Sequence, residues 1–339
     1  MDFDIPADLR DTLKTLDAFI AAEIRPLERA HPQFFDHRRE HARTDWDRDG
    51  LPRKEWEELL GEMRRRADRA GFFRYALPKK YGGRDGSNLA VTVIREHLAS
   101  LGLGLHADLQ SETSVVGSFT MVQVFDSFGT EEQKAQYIEG MITGERRIAF
   151  GLTEPDHGSD ATWLETTAVR DGEHWVLNGA KRFNSAVHTA HANLVFARTS
   201  GQPGDAEGIS AFLVPMDTPG MKVEYYHWTF NMPTDHAEVS LKDVRVPASA
   251  LVGKLGGGLA ALPRRAVALH WTVGCAIRPL APAVHPIAIR AVTLAASTPP
   301  PHVQALIERL RGLDWSSDQA VPTVDVKDLA GRIAIGQQE

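Results

Sequence analysis

Through the first ~145 residues, apolar side chains recur at helical spacing. In ADLRDTLKTLDAFIAAEIRPLE, Leu9, Leu13, Leu16, Phe19, Ile20 and Ile24 fall on one stripe, which predicts an amphipathic helix. LPRKEWEELLGEMRRRADRAGFF has Pro52 near a helix start and Gly71 at its end, the usual placement of these two residues. NLAVTVIREHLASLG and SETSVVGSFTMVQVFDSFG predict two more helices. In GTEEQKAQYIEGMITGE, Thr130 and Gln133 have capping-box spacing, and Gly144 closes the helix.

The rhythm changes near Ile148. TTAVRDGEHWVLNGAKRF predicts three strands joined by type I′ turns at Asp171-Gly172 and Asn178-Gly179. ANLVFAR, GISAFLVP, KVEYYHW and AEVSLKDVRVP continue as strands, so an antiparallel domain is expected from about Ile148 to Val252. A second change comes near Pro263. Eight of the 19 prolines lie in the last 77 residues. Pro279, Pro282, Pro286 and Pro299-Pro300-Pro301 forbid a long helix there, and only HVQALIERLRGL has a helical pattern.

Composition narrows the class. The chain has 339 residues, 42% hydrophobic and 24% charged, as in soluble globular proteins of two or three domains. A net charge of −7 with no basic stripe argues against nucleic acid or an anionic membrane as partner. Cys275 is the only cysteine, which excludes an internal disulfide and reads as a small buried side chain. No apolar run reaches the ~20 residues of a membrane span. MDFDIPADLRDTL has no apolar signal core. A reducing compartment is expected, cytoplasm or organelle matrix, with no secretion.

Two polar stretches carry candidate chemistry. RIAFGLTEPDHGSD runs from a short apolar strand into a loop. Thr153 offers a hydroxyl and nearby N–H groups to a planar, polar-edged ring. Gly158 permits close backbone approach, and Ser159 offers the donors that hold a phosphate oxygen. Asp160 suits a turn or cap. The plainer reading is an Asx-type surface turn. In NGAKRFNSAVH, Phe183 suits stacking on a ring, with Asn184 and Ser185 presenting backbone groups to its edge. The plainer reading there is a strand with a core Phe.

Other features carry less. Asp235-His236 precedes a strand, where neighbouring side chains point to opposite faces, so a turn or strand-entry role is expected. His157 reads as a loop histidine. His37 and His41 lack a third metal ligand, and no metal is expected. Arg264 and Arg265 suit a ligand phosphate, though an exposed basic helix start is the plainer reading. GKLGGGLA lacks dinucleotide-fold and P-loop spacing, and neither G-x-S-x-G nor H-E-x-x-H occurs.

GTEEQKAQYIEGMITGERRIAFGLTEPDHGSD, then WVLNGAKRFNSAVHTAHANLVFAR, then VSLKDVRVPASALVGKLGGGLA, with PKKYGG at Pro78 to Gly83, resemble the acyl-CoA dehydrogenase family in wording and order, over about Ala7 to Ala260. The resemblance implies a multidomain α and β fold. Residues 1–147 would form an N-terminal helical domain and 148–254 an antiparallel β-barrel. Residues 255–339 would be an incomplete or aberrant C-terminal segment. It implies FAD as cofactor, an acyl-CoA substrate and a homo-oligomer, and leaves the electron acceptor open. Phe150, Leu152, Thr153 and Gly158 would lie along the cofactor, and Ser159 would contact its pyrophosphate or the acyl-CoA. Phe183 would replace the family's ring-packing aromatic. Asn184 and Ser185 would stand at the flavin edge, although Phe183-Asn184-Ser185 departs from the commoner W-I-T.

The implied reaction is α,β-desaturation of an acyl thioester. Its base in the family is usually a Glu of a C-terminal helical domain. That domain is not recognisable here, so the catalytic residue is unassigned. The tail reads as an out-of-frame or alternatively spliced ending. A related flavin monooxygenase and a non-catalytic truncated subunit are the alternatives.

Overall fold

The computed structural model describes residues 5–108, 113–229, 233 and 235–258. Cys275, Arg264, Arg265 and every expectation placed on 259–339 lie outside the described residues. From Pro6 onward the described residues belong to one unit.

The first stripe forms α1 (Ala7–Phe19), a π turn (Ile20–Ile24) and α2 (Arg25–Ala30). Leu9, Leu13, Leu16, Ile20 and Ile24 are buried, whereas Phe19 is half-buried with its ring 5.2 Å from Phe72. Pro26 has no N–H to give Ala22. The ladder therefore shifts just before it, with Arg25 N–H donating to the Ile20 carbonyl. A short helix α3 (Arg39–Arg43) leads into β1 (Thr44–Asp45), which pairs with β2 (Leu51–Pro52). Pro52 thus sits in a strand just before α4 (Lys54–Arg69) rather than in its first turn. Gly71, with φ 75°, follows α4.

Next come α5 (Asn88–Ser100) and the paired strands β3 (Ala107–Asp108) and β4 (Thr113–Ser114). Of the described part of SETSVVGSFTMVQVFDSFG, only α6 (Thr120–Phe128) is helical. Residues 113–119 are held out by the β3–β4 pairing and by Phe119 in the left-handed region at φ 47°. In α7 (Glu131–Thr143) both capping-box bonds form. Gln133 N–H donates to Thr130 Oγ1 (3.2 Å) and Thr130 N–H to Gln133 Oε1 (3.0 Å). Thr130→Ala is expected to cost about 1 kcal/mol, measured by urea denaturation.

The middle domain is an eight-stranded sheet: β5 (Ile148–Gly151), β6 (Thr167–Asp171), β7 (His174–Asn184), β8 (Ala192–Arg198), β9 (Ile209–Pro215), β10 (Met221–Tyr226), β11 (Ala237–Pro247) and β12 (Leu251–Val252). Its order is β10-β11-β7-β6-β8-β9-β12, with β5 also on β8. Most of its strand pairs are antiparallel, as expected. The exceptions are β5 and β6, which run parallel to β8 along one edge.

The Asn178-Gly179 turn does not exist: β7 runs unbroken from His174 to Asn184. The irregularity lies opposite, where β11 bulges between Leu241 and Val244. Asn178 fills that bulge, accepting from Asp243 N–H (2.8 Å) and donating to Asp243 Oδ1 (3.2 Å).

Trp175 on β7 lies 5.3 Å from Phe212 on β9, although β6 and β8 separate those strands in the sheet. The sheet therefore curls back on itself. Val195, Ala197, Phe212 and Val214 share its interior with Leu177, Leu241 and Val244. The alternate residues Leu194, Phe196, Ala211 and Leu213 pack on Phe125, Tyr137 and Ile142 of the helices. Burial on both faces explains why β8 and β9 read as continuous apolar runs. It also joins the helical and sheet domains through one core.

Candidate functional site

The polar loop after β5 is anchored by a buried ion pair. Lys181 Nζ lies 2.6 Å from Glu154 Oε1, with the two side chains 0% and 4% exposed. Lys181 also donates to the Leu152 carbonyl (3.3 Å). Glu154 accepts from the amides of Glu165 (2.5 Å) and Thr166 (2.9 Å). Burial pushes the Lys181 ammonium down to about 8, against the pull of Glu154. Burial also raises Glu154, but Lys181 and the donated hydrogen bonds outweigh it and hold the carboxyl below its usual range. Both groups are therefore charged at neutral pH. Sequence reasoning gave neither residue a role. The available signal was only an acidic residue in one motif phrase and a basic residue in the other.

Beside this pair the loop joins the end of β7. Arg182 N–H donates to the Thr153 carbonyl (2.8 Å), and its guanidinium reaches the Pro155 carbonyl (3.2 Å) and Glu238 (2.9 Å). Phe150 and Leu152 are half-buried against the helix-side core, with the Phe150 ring 5.1 Å from Phe196. The Thr153 hydroxyl has no hydrogen-bond partner among the described residues. Glu154 N–H donates to the His157 carbonyl (3.0 Å), which turns the chain and leaves Gly158, Ser159 and Asp160 exposed. A Cβ on Gly158 would meet nothing within 4 Å. Ser159 makes no side-chain bond among the described residues. Asp160 caps the next turn by accepting from Thr162 N–H (3.0 Å), and His157 is fastened to Glu165 (3.1 Å).

Phe183 is not a core residue. It is 47% exposed, its ring lies 4.7 Å from His227, and its φ of 57° is in the left-handed region. A non-glycine residue held there stores about 1–3 kcal/mol. Asn184, by contrast, is fully buried and accepts from Asn193 Nδ2 (2.6 Å), so its side chain points inward and only its backbone borders the junction. Ser185 is exposed, with its hydroxyl 2.8 Å from His236 Nδ1. The fold thus places Thr153 alongside the start of the Phe183–Ser185 turn, and turns the Asn184 amide away.

Asp235 and His236 do not point to opposite faces. Asp235 Oδ1 is 3.4 Å from His236 Nδ1, because both residues precede β11 and strand alternation does not apply to them. Ser185 approaches the same nitrogen, so the three residues do not form a relay across the ring.

Residues 7–145 match the family model described as the acyl-CoA dehydrogenase N-terminal domain, and 149–244 match the middle domain of the same family. Acyl-CoA dehydrogenase FadE12 of Mycobacterium tuberculosis is 33% identical over 205 residues, 60% of this chain and 51% of that protein. Glutaryl-CoA dehydrogenase of Desulfococcus multivorans is 29% identical over 263 residues, 76% of this chain and 60% of that protein. A solved structure of a putative acyl-CoA dehydrogenase from Mycobacterium abscessus superposes with a TM-score of 0.60 at 27% identity, covering 76% of this chain and 63% of its own. The chain thus spans about half to three-fifths of the length of the relatives it matches. With two consecutive domain models matched in order, and with the motif loop and β7 joined as described, the chain belongs to the acyl-CoA dehydrogenase family.

Proposed function

We propose that this chain supplies the FAD- and acyl-CoA-binding part of an enzyme that oxidises the Cα–Cβ bond of an acyl-CoA thioester. One observation carries the reading. The Leu152–Ser159 loop and the end of β7 are fastened together, and Phe183 is pushed out at their junction in a strained backbone conformation. The residues present fit a flavin. Phe150 and Leu152 give an apolar wall, and Phe183 gives an exposed ring to stack. Thr153 and Ser185 offer hydroxyls to a polar ring edge. Gly158 and Ser159 offer an open backbone and a free hydroxyl to the pyrophosphate or the acyl-CoA. When bound, FAD supplies the hydride-accepting ring.

Glu154 is the buried carboxylate of this loop, but it is not assigned as the α-proton base. Its oxygens are committed to Lys181 and to two backbone amides, and it is held in its charged form as an anchor.

The purified full chain is expected to carry or take up one FAD, measured by its absorbance against protein concentration. Anaerobic addition of an acyl-CoA is expected to bleach that absorbance if the chain also supplies a working base. Protein that neither retains nor takes up FAD would overturn the reading. Phe183→Ala is expected to weaken FAD binding about 2- to 10-fold, the range set by ~0.5–1.5 kcal/mol for an aromatic stack, as read by flavin fluorescence titration.

A further inference from the structure

Lys181 and Asn184 of β7 both point inward and are fully buried, although they stand three positions apart. Strict alternation along the strand would bury Lys181 and Phe183 and expose Asn184. The pairing with β11 accounts for the difference. Ala237 lies opposite Asn184 and Val239 opposite Lys181, so Glu238 alone faces the two residues Arg182 and Phe183. β7 thus carries one extra residue here, a β-bulge, and bulges re-aim side chains. This one turns Phe183 outward, at φ 57° and 47% exposed. A non-glycine residue persists in the left-handed region only where its surroundings over-determine it.

The support comes from His227, the residue after β10. Its ring lies 4.7 Å from that of Phe183, inclined at 49°. Tyr225 braces the same imidazole, with ring centroids 4.8 Å apart. His227 Nε2 is 3.2 Å from Glu238 Oε2, the oxygen that also accepts from Arg182 Nε (2.9 Å). The His227 backbone N–H donates to the His236 carbonyl (2.8 Å), just before β11. The imidazole is therefore fixed through its backbone, through one ring nitrogen and through an aromatic neighbour. Arg182 carries the linkage on to the motif loop, since its guanidinium reaches the Pro155 carbonyl (3.2 Å). One carboxylate, Glu238, thus aligns both the loop and the residue that backs Phe183.

We propose that His227 is a positioning residue of the cofactor site, which holds the Phe183 ring outward for stacking on a planar ligand. This rests on the flavin reading. An exposed aromatic side chain that is free to rotate loses entropy when a ligand orders it. A ring already backed on one side has met that cost during folding, so it binds more tightly. The competing possibility is that His227 merely packs the end of β10, with no influence on the ligand.

Flavin fluorescence titration of the full chain separates the two as a double-mutant cycle. His227→Ala is expected to weaken FAD binding about 2- to 10-fold, the range of an aromatic contact. In a Phe183→Ala background the same substitution is expected to change affinity by less than about 2-fold, because no ring remains to be held. His227→Phe, which keeps a ring behind Phe183, is expected to stay within about 2-fold of the native chain. The visible circular dichroism of the bound flavin is expected to shift alike in His227→Ala and Phe183→Ala. If His227→Ala does not fold, His227→Gln takes its place, with the same outcomes expected. It keeps a donor for Glu238 and removes the ring. Losses that add in the double variant overturn the positioning role and leave the flavin reading standing. So does native affinity in His227→Ala and His227→Gln, or an equal loss in His227→Phe and His227→Ala. A native chain that takes up no FAD overturns the flavin reading, and the positioning role falls with it.

Discussion

Glu154→Gln is expected to destabilise the folded chain by about 3–5 kcal/mol at pH 7, because it leaves the buried Lys181 ammonium without its counter-charge. Lys181→Met is expected to cost less. The carboxylate it strands still accepts from the Glu165 and Thr166 amides. The double variant Glu154→Gln/Lys181→Met is expected to recover most of the loss, since it removes both charges and keeps an amide oxygen for the Thr166 N–H. A double-mutant cycle in urea, followed by tryptophan fluorescence, measures all three values. Single variants within about 1 kcal/mol of the native chain would show that the pair does not hold the loop.

The same pair fixes a pH dependence. The Glu154 pKa is lowered in the folded state, so its contribution is present above its unfolded value and is lost as pH falls through the folded one. Lys181 acts in the opposite sense to a salt-bridged surface lysine. Its folded pKa of about 8 lies below the ordinary lysine value of 10.5. Between those values the unfolded chain holds the extra proton, so this group makes stability rise with pH across that window. Removing Glu154 takes away the interaction that raises the lysine's pKa. The cost of Glu154→Gln is therefore expected to shrink as pH rises towards 8 and Lys181 discharges. Urea titrations at several pH values read this directly.

How much was legible depends on how far each interaction reaches along the chain. The α1 stripe and the capping box at Thr130 are local, and both formed where the pattern put them. The motif phrases identified the family and the loop that matters. They did not disclose which face each residue presents. Phe183 reads equally well as core or as exposed ring, and only the left-handed turn at the end of β7 decides the matter. Asn184 reads as a polar edge residue, yet Asn193, brought in by β8, draws its amide inward. The Glu154–Lys181 pair joins two phrases 27 residues apart, and nothing in either phrase states that they meet. The parallel placement of β5 and β6 on β8 is likewise non-local.

Gly179 is where a local signal misled most, and Gly179→Ala is expected to produce the second large effect, a loss of about 3–5 kcal/mol from backbone strain and overpacking together. Asn-Gly favours a tight turn when nothing else acts on it. Here the glycine instead lets β7 pass against the segment that carries Thr166. Its φ is 150°, and a Cβ would stand 2.4 Å from Thr166 Oγ1 and 2.7 Å from Thr166 Cα. Rotating the Thr166 side chain cannot relieve the second clash, because that carbon belongs to the backbone. The backbone must move, and the Thr166 N–H is one of the donors that hold Glu154. The substitution is therefore expected to loosen the site loop as well as the strand. Amide hydrogen exchange is expected to speed up at Glu165 and Thr166 and in the Leu152–Ser159 loop, with the α1 amides unchanged. Thr166→Gly, introduced alongside, removes the clash with the hydroxyl and leaves the one with the backbone carbon, so it should restore only part of the stability. Full recovery in that double variant would show that the side chain, and not the close approach of two backbones, makes glycine necessary at this position.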